Sequence, residues 1–214
     1  MRDFDYFSPK TWEEALALGQ GGQSRFIAGG TLVVDLLRLE VERPEKLIDL
    51  NGLLSSSMTW NERGLTIGAG VKNTELAYEP RVVSELPALS QALLSGASPQ
   101  LRNMATVGGN LLQRTRCSYF RDVGVNACNK RNPGSGCAAR EGYSRMHALL
   151  GVSEHCIAAH PSDMCVALLA LDAVVRTRRA GGSRELPLGE LHALPGDHPS
   201  RENQLEPGEI ISEV

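Results

Sequence analysis

Apolar and polar positions interleave helix-like and strand-like patterns along the first hundred residues. Thr11 and Glu14 have the spacing of a helix-capping box, ahead of an apolar run that stops at Gly19, which predicts a helix after a short opening strand. Strands are predicted for FIA, KLIDL and GLTIGAG, and helices for LVVDLLRLE, residues 74–78 and residues 87–95. Helices and strands that alternate in this way favour a mixed α/β or α+β fold.

The regular pattern is lost from about Thr115 to Ser153, where glycine, proline, asparagine and arginine are frequent. Within that region only YSRMHALL predicts a helical turn. The pattern resumes with CIAAH as a strand, PSDMCVALLALDA as a helix and AVVRTRR as a strand. We therefore interpret the irregular region as an insertion between regular elements. The last apolar run, EIISEV, predicts a strand whose edge we expect to be unpaired.

The composition of the 214-residue chain is ordinary for a globular protein, with 42% hydrophobic and 22% charged residues. A net charge of -3 and an aromatic content of 5% give no support for nucleic-acid binding. No apolar run has the length of a membrane span, so membrane insertion is not expected. MRDFDYFSPK does not resemble a signal peptide; we expect the cytoplasm, with the periplasm as an alternative if a signal-bearing partner carries the chain there.

Five cysteines without an export signal argue against a disulfide framework, because cytosolic thiols stay reduced. Cys165 lies in an apolar run, where a free cysteine packs as a small hydrophobic residue. The other four lie in or just after the irregular region: Cys117, Cys128, Cys137 and Cys156. Four thiolates on one metal centre would hold such a long loop together.

The spacing of these four cysteines does not identify the metal. Ten, eight and eighteen residues separate them, unlike the close pairs of ferredoxins or zinc ribbons. Residue chemistry leaves structural zinc and an iron–sulfur cluster about equally favoured. Basic residues expected to offset cluster charge are Arg114, Arg116, Arg121, Lys130 and Arg131. His147, His155 and His160 lie nearby, but four cysteines complete a ligand set, so structural roles are expected for these histidines.

Two glycine-rich turns are the second chemical signal. Ala28 to Thr31 follows a predicted strand, and Thr106 to Asn110 precedes LLQR. A glycine turn that opens a helix points free N–H groups at an anion, so two such loops suit the two phosphates of a dinucleotide. Neither matches the Rossmann or Walker pattern, and each loop alone is more typical of a plain tight turn.

The order of the motifs resembles a known family. RFIAGGTLVVDLLRL, LIDLNGL, LTIGAGV, RNMATVGGNLLQRTRC and HPSDMCVALLALDAVV follow one another as in the FAD-binding subunits of molybdenum hydroxylases, the xanthine dehydrogenase and aldehyde oxidoreductase family. This implies an α+β, two-subdomain FAD-binding domain, with subdomains at 1–54 and 55–214 and an irregular iron–sulfur insertion at about 114–158. Family subunits continue for roughly a hundred residues, a small module, beyond EIISEV, so we expect the second subdomain to be incomplete at its C-terminus.

The resemblance also implies the binding residues. Asp163 matches a family aspartate that hydrogen-bonds the ribityl or ribose portion of FAD, whereas residue chemistry alone favours a helix-capping role for it. The strand EIISEV matches family backbone that contacts FAD, which implies contacts near Ile210 and Ile211. The implied FAD contacts are Phe26, Ile27, Ala28, Gly29, Gly30, Thr31, Thr106, Val107, Gly108, Gly109, Asn110, Asp163 and Ile211. A family subclass carries a [4Fe–4S] cluster in a similar insertion, which implies Cys117, Cys128, Cys137 and Cys156 as its ligands. No catalytic residue is implied.

The implied function is electron transfer by an FAD- and [4Fe–4S]-containing oxidoreductase subunit. Its partners would be a large subunit with the molybdenum cofactor, a small [2Fe–2S] subunit and an external electron acceptor. A flavin subunit of a hydroxybenzoyl-CoA reductase is an alternative within the same family. A structural zinc-binding interaction module and a stand-alone flavin oxidase remain alternatives from other classes.

Overall fold

The computed structural model describes residues 1–62 and 64–214, and in these ranges strands predominate at the two ends while eight successive helices lie between Asn73 and Ala170. The strands are β1 (Asp5–Phe7), β2 (Ser24–Ile27), β3 (Lys46–Asp49), β4 (Met58–Asn61), β5 (Gly64–Ile67), β6 (Val174–Arg179), β7 (Gly182–Pro187) and β8 (Ile210–Glu213). The helices are α1 (Trp12–Gly19), α2 (Val33–Arg38), α3 (Asn73–Tyr78), α4 (Pro80–Glu85), α5 (Pro87–Ser95), α6 (Pro99–Met104), α7 (Val107–Leu111), α8 (Ser118–Arg121), α9 (Ala138–Glu141), α10 (Asp163–Ala170) and α11 (Leu188–Leu191). Within those two ranges, no helix is long and apolar enough to cross a membrane.

A parallel sheet in the order β1-β3-β2 forms the N-terminal part. The predicted cap of α1 is confirmed, since the Thr11 side chain accepts a hydrogen bond from the Glu14 N–H at 3.2 Å. The helix buries Ala15 against Ile48 of the central strand, and both side chains are fully buried. Ligands of parallel sheets collect at the carboxyl ends of strands, and the first glycine loop leaves β2 at that end.

A second hydrophobic core lies among the helices and antiparallel strands after residue 57. β4 pairs with β5 as a hairpin, and β6 lies between β7 and β8 in an antiparallel sheet. Helix α5 packs against α3 and α10. Fully or almost fully buried members of this core are Val71, Leu76, Val82, Leu89, Val107, Leu111, Met164, Val175 and Leu191. The proposed boundary between residues 54 and 55 stays a prediction.

Strand β8 joins the two cores. The expected unpaired edge is wrong, because β8 pairs with β6 on one side and with the segment after β5 on the other. The Ala69 N–H donates to the Ser212 carbonyl at 2.9 Å, and the Ile67 N–H donates to the Val214 carbonyl at 2.7 Å. Ile210 packs into the N-terminal cluster, whereas Ile211 packs into the larger one.

Several short elements differ from the sequence predictions. The helical turn predicted in YSRMHALL and the strand predicted in CIAAH are wrong: residues 143–150 form bends and turns, and residues 156–160 have a single isolated bridge, from Cys156 to Ser153. A cross-loop hydrogen bond from the Ala148 N–H to the Ile157 carbonyl, at 3.0 Å, replaces regular pairing there. The sequence predictions contain no counterpart of seven short elements, each of six residues or fewer: β4, β7, α4, α6, α8, α9 and α11.

A chain of ion pairs attaches the cysteine-containing segment to the rest of the protein. Arg114, at its start, pairs with the buried carboxylate of Glu42 at 3.0 Å and also with Glu202. Glu202 in turn pairs with Lys130 at 3.1 Å, and Arg25 forms a second ion pair with Glu42. Side chains from four distant stretches of the chain therefore meet in one charged network.

Removing the side chain that β8 contributes to the larger core should destabilise the whole domain. Ile211 is 3% exposed, so Ile211→Ala should leave a cavity and lower the free energy of unfolding by about 2–5 kcal/mol. Urea denaturation monitored by circular dichroism measures this change. Leu149→Ala, at a side chain that is 92% exposed, is the matched control and should change the free energy by less than about 0.5 kcal/mol. Equal effects of the two substitutions would contradict the role assigned to β8.

Glu42 should make stability depend on pH. Burial raises the pKa of its carboxyl, but Arg25 and Arg114 outweigh burial, so the net pKa lies below the ordinary value. Such a carboxyl adds stability above the pKa of the unfolded chain, about 4.3, and this stability is lost as pH falls through the lower folded-state pKa. We expect Glu42→Gln to lower the free energy of unfolding at neutral pH by about 1–3 kcal/mol, because Arg25 loses its ion-pair partner and Arg114 keeps only Glu202.

The free energy of unfolding of Glu42→Gln should fall less steeply than that of the wild type when pH is lowered from neutral to acidic values. Urea denaturation at several pH values measures the slope. Glu85→Gln is the control: Arg81 also lowers the pKa of Glu85, but the pair is exposed and solvent screens it, so this variant should change the slope much less. Identical slopes for Glu42→Gln and the wild type would refute the assignment.

Candidate functional site

The four cysteines of the irregular segment line one cavity. Cys117 immediately precedes α8, and Cys137 immediately precedes α9. Cys128 and Cys137 face each other in an isolated antiparallel bridge, and Cys156 forms a second bridge with Ser153. The fold thus brings four thiols together, although up to eighteen residues lie between consecutive cysteines of this set.

Buried Asn129 fixes the loops that carry these cysteines. Its backbone N–H donates to the Gly136 carbonyl at 2.7 Å, and its side-chain oxygen accepts from the Gly136 N–H at 2.8 Å. Its side-chain amide also donates to the His155 carbonyl at 3.0 Å. Gly136 has a φ of +94°, which favours glycine at this position. One amide side chain therefore holds the loops of Cys128, Cys137 and Cys156 in register.

The thiols influence one another electrostatically. Burial raises the pKa of Cys117, and the neighbouring Cys128 and Cys156 raise it further, while backbone N–H groups of α8 oppose the change. Burial also raises the pKa of Cys156, although the backbone N–H of Ala158 and the charge of Lys130 counteract it. A cation or cluster that binds all four sulfurs would remove this repulsion and stabilise the thiolates.

Among the basic residues expected to offset charge here, Lys130 is the one that lies on the cavity. Arg114 and Arg121 are instead paired with carboxylates, the latter with Asp35 of α2. Arg131 donates to backbone carbonyls at the end of α8, and Arg116 is exposed. The expectation is corrected for Arg114, Arg121 and Arg131, because structural contacts hold their guanidinium groups, and for Arg116 it stays a prediction.

The sulfur atoms are spread more widely than a single ion would hold them. Within the described ranges 1–62 and 64–214, no three of the four Sγ atoms lie within 4.8 Å of one another. A tetrahedral zinc ion with Zn–S bonds of about 2.3 Å places its sulfurs about 3.8 Å apart. The sulfur atoms of the described residues are therefore farther apart than a bound zinc ion would hold them.

His147 is a further residue of the cysteine cavity. Its Nε2 lies 3.2 Å from Cys117 Sγ, and its Nδ1 is buried without a hydrogen-bond partner among the described residues. Sequence analysis considered His147 only as an unneeded ligand. The contact indicates a hydrogen bond to sulfur in the tautomer that is protonated at Nε2.

The first glycine loop opens onto a cleft of about 340 Å³. Gly30 has a φ of +72°, and a Cβ atom on Gly29 would lie 2.1 Å from the Met104 carbonyl oxygen. The backbone N–H groups of Gly29, Gly30 and Thr31 donate to no residue in the described part of the chain. Glycine thus permits a tight approach, and the free amides suit an anionic ligand such as a phosphate.

Arg38 at the end of α2 also lines this cleft. Its guanidinium makes no hydrogen bond or ion pair with any residue that the structure describes. Asp35 lines the cleft from the same helix but is paired with Arg121. Sequence analysis missed Arg38, although its position one helix after a glycine loop was a usable signal.

The second glycine loop is organised differently. Thr106 caps α7 by accepting from the Gly109 N–H at 3.2 Å, and its carbonyl accepts from the Asn110 N–H at 2.8 Å. The Val107 and Gly108 N–H groups donate to carbonyls of residues 71 and 69 at 2.9 and 3.0 Å. The expectation of free amides therefore holds for the first loop and is wrong for the second, where backbone groups are already satisfied.

Asp163 lies beside the second loop. Ser162 next to it caps α10 and donates its hydroxyl to Asn110 Oδ1 at 2.6 Å. Capping thus falls to Ser162, and the exposed Asp163 carboxylate has no partner among the described residues. The side chains of Phe26, Ile210 and Ile211 pack in hydrophobic clusters. Their contacts with FAD stay predictions, and such contacts would involve the backbone or the edge of the side chain.

Comparison with known proteins gives one family. The model of the FAD-binding domain in molybdopterin dehydrogenase matches residues 2–214. The chain is 52% identical to the aldehyde oxidoreductase FAD-binding subunit PaoB of Escherichia coli K12, over 100% of this chain and 68% of that protein. It is 29% identical to the 6-hydroxypseudooxynicotine dehydrogenase complex subunit alpha of Paenarthrobacter nicotinovorans, over 99% of this chain and 56% of that protein.

Solved structures support the same fold. CO dehydrogenase from Oligotropha carboxidovorans matches with a TM-score of 0.69 and 21% identity, over 99% of this chain and 58% of that one. Quinoline 2-oxidoreductase from Pseudomonas putida 86 matches with a TM-score of 0.68 and 22% identity, over 100% of this chain and 58% of that one. The predicted α+β fold is confirmed, and the chain belongs to the family of FAD-binding domains of molybdopterin dehydrogenases.

Proposed function

We propose that this chain is the FAD- and [4Fe–4S]-binding electron-transfer subunit of a molybdenum-dependent aldehyde oxidoreductase. The observation that carries the proposal is the cavity lined by Cys117, Cys128, Cys137 and Cys156 within a chain of the FAD-binding family. When bound, the cluster supplies one-electron chemistry, and FAD links one-electron to two-electron chemistry. The chain's own residues bind, orient and shield the two groups.

The cleft at the first glycine loop supports the FAD part of the proposal. We assign Ala28, Gly29, Gly30 and Thr31 to the pyrophosphate, since free N–H groups line this turn. Arg38 would add a positive charge at the same cleft. We keep Phe26, Ile27, Thr106, Val107, Gly108, Gly109, Asn110, Asp163 and Ile211 as proposed FAD contacts, with Gly109 and the free Asp163 carboxylate at accessible positions.

The cysteine cavity supports the [4Fe–4S] part of the proposal. Four soft sulfur donors suit an iron–sulfur centre, and their spread is wider than zinc requires. Lys130 offsets negative charge, and His147 donates toward a ligand sulfur, which are two ways in which a protein raises a cluster potential. The alternative of a structural zinc module is less well supported by the sulfur spacing.

Helix α2 connects the two proposed sites. Its side chains Val34, Asp35 and Arg38 line the cleft at the first glycine loop. Leu36 of the same helix packs in one cluster with Phe120 and Cys128. A short helix therefore separates the proposed flavin site from the proposed cluster, which favours electron exchange between them.

The proposed partners follow from the family. We assign substrate oxidation to a large subunit with the molybdenum cofactor, and to this chain the holding and shielding of its two proposed cofactors. A small [2Fe–2S] subunit and an external electron acceptor complete the proposed route. The 52% identity to an aldehyde oxidoreductase subunit favours this complex over a hydroxybenzoyl-CoA reductase. The chain spans 68% and 56% of the two relatives compared, so these whole-complex roles are proposals.

Gly30→Ala should weaken FAD binding. A side chain at φ +72° costs about 1–2 kcal/mol of backbone strain, which the loop relieves by changing shape and withdrawing its amides. We expect the FAD dissociation constant to rise about tenfold, measured by flavin fluorescence during titration. Gly181→Ala, at φ +90° in the β6–β7 turn with open space around it, is the control for strain alone. Equal flavin affinity in Gly30→Ala and Gly181→Ala would contradict the assignment.

Cys128→Ser should abolish stable iron binding while leaving flavin binding in place. Cys128 is 7% exposed and lies on the thiol cavity, so its loss removes one of four sulfur donors. Iron and acid-labile sulfide per chain, with the visible spectrum, measure the result. Cys165→Ala is the matched control because Cys165 lies outside that cavity and should keep the wild-type iron content. Full iron in Cys128→Ser, or zinc in place of iron in the wild type, would refute the cluster.

A further inference from the structure

Three potential metal ligands meet outside the cysteine cavity. One ring nitrogen of His160, one of His192 and the Sγ of Cys165 all lie within 4.8 Å of one another. The two imidazole ring centroids are 4.2 Å apart. His160 precedes α10, Cys165 lies within α10, and His192 follows α11. The fold, rather than a local motif, therefore brings these side chains together.

We propose that His160, Cys165 and His192 bind a transition-metal ion of the zinc class at a site separate from the cysteine cavity. Two imidazoles and one thiolate suit such an ion and disfavour magnesium or calcium. Zinc bonds of about 2.1 Å to nitrogen and 2.3 Å to sulfur place these donors roughly 3.4–3.6 Å apart. Ligand atoms that lie within 4.8 Å of one another therefore have to approach by about 1.4 Å at most. Three protein ligands leave a fourth position for water.

The hydrogen bonds of the two histidines fit this role. Nε2 of His160 lies 3.2 Å from the Leu111 carbonyl oxygen, and Nε2 of His192 lies 2.8 Å from the same oxygen. In a neutral imidazole that donates from Nε2, the lone pair is on Nδ1. A backbone carbonyl that accepts from one ring nitrogen is the usual support of a histidine that binds metal through the other. The proposal therefore takes Nδ1 of each ring as the ligand atom, while the Leu111 carbonyl at the end of α7 holds both rings through Nε2.

The protonation states favour metal binding at the histidines. Burial, followed by the charge of His192, lowers the pKa of His160 to about 4, so His160 is neutral near pH 7. Burial raises the pKa of Cys165 to about 11, so the thiol releases a proton when it binds the metal. Neighbouring groups desolvate the His160 ring, but the residue as a whole stays exposed, whereas Cys165 is only 8% exposed, so the site has an open rim and a buried sulfur. An ion can therefore enter from the His160 side.

A zinc titration of the purified protein with its iron centre intact tests the proposal. We expect wild-type protein dialysed after exposure to micromolar zinc to retain one zinc per chain, measured by atomic emission, and to gain thermal stability. His192→Ala and Cys165→Ser should each weaken zinc binding by at least about tenfold without loss of iron. His198→Ala is the matched control, because His198 is exposed and lies outside the cluster, and it should bind zinc as the wild type does.

Two results would overturn the proposal. Wild-type protein that retains no zinc would show that the two histidines serve only to hydrogen-bond the Leu111 carbonyl. Zinc that is retained in both His192→Ala and Cys165→Ser, but lost in Cys128→Ser, would place the ion in the cysteine cavity. Circular dichroism of each variant before titration confirms that it is folded, and the use of two variants at different ligands keeps the test decisive if one of them fails to fold.

Discussion

The packing of helix α2 against the cysteine-containing segment is the contact on which both proposed cofactor sites depend. Leu36 is fully buried against Phe120 and Cys128, and Leu32 and Val41 close the edges of the same cluster. On its other side, the helix faces the cleft at the first glycine loop. Because these apolar side chains are close-packed and tolerate little displacement, they fix the position of one site relative to the other.

Charge reinforces this apolar contact. Asp35 pairs with Arg121, and Glu42, just after α2, pairs with Arg114 at the entry to the cysteine-containing segment. Because Glu42 is buried, the value of this pair lies less in net stability than in fixing which residues meet. Two ion pairs that flank one hydrophobic cluster set the position of the segment along and around the helix.

Short-range patterns in the sequence predicted much of the fold and of the candidate site. The cap at Thr11, the strand FIA and the helix at residues 87–95 follow from short-range preferences, and the structure contains each of them. Cys117 and Cys156 were recognisable because thiols are scarce in ordinary loops. Contacts such as Glu42 with Arg114, 72 residues apart, leave no local pattern. Asn129, which holds three loops with one amide, looks like any turn residue in the sequence.

The two ends of the irregular segment lie side by side. His160 and His192 both reach the Leu111 carbonyl, and Ser162 bonds to Asn110, so the chain leaves the domain and returns to it at nearly the same point. Closing a loop of this length costs little extra entropy once its ends are already held together. The length of the segment can therefore vary without moving α7 and α10, which stay in contact beneath it. An FAD-binding domain can thus carry a long loop, here the proposed site of a second redox centre, without a change in the path of the chain on either side of it.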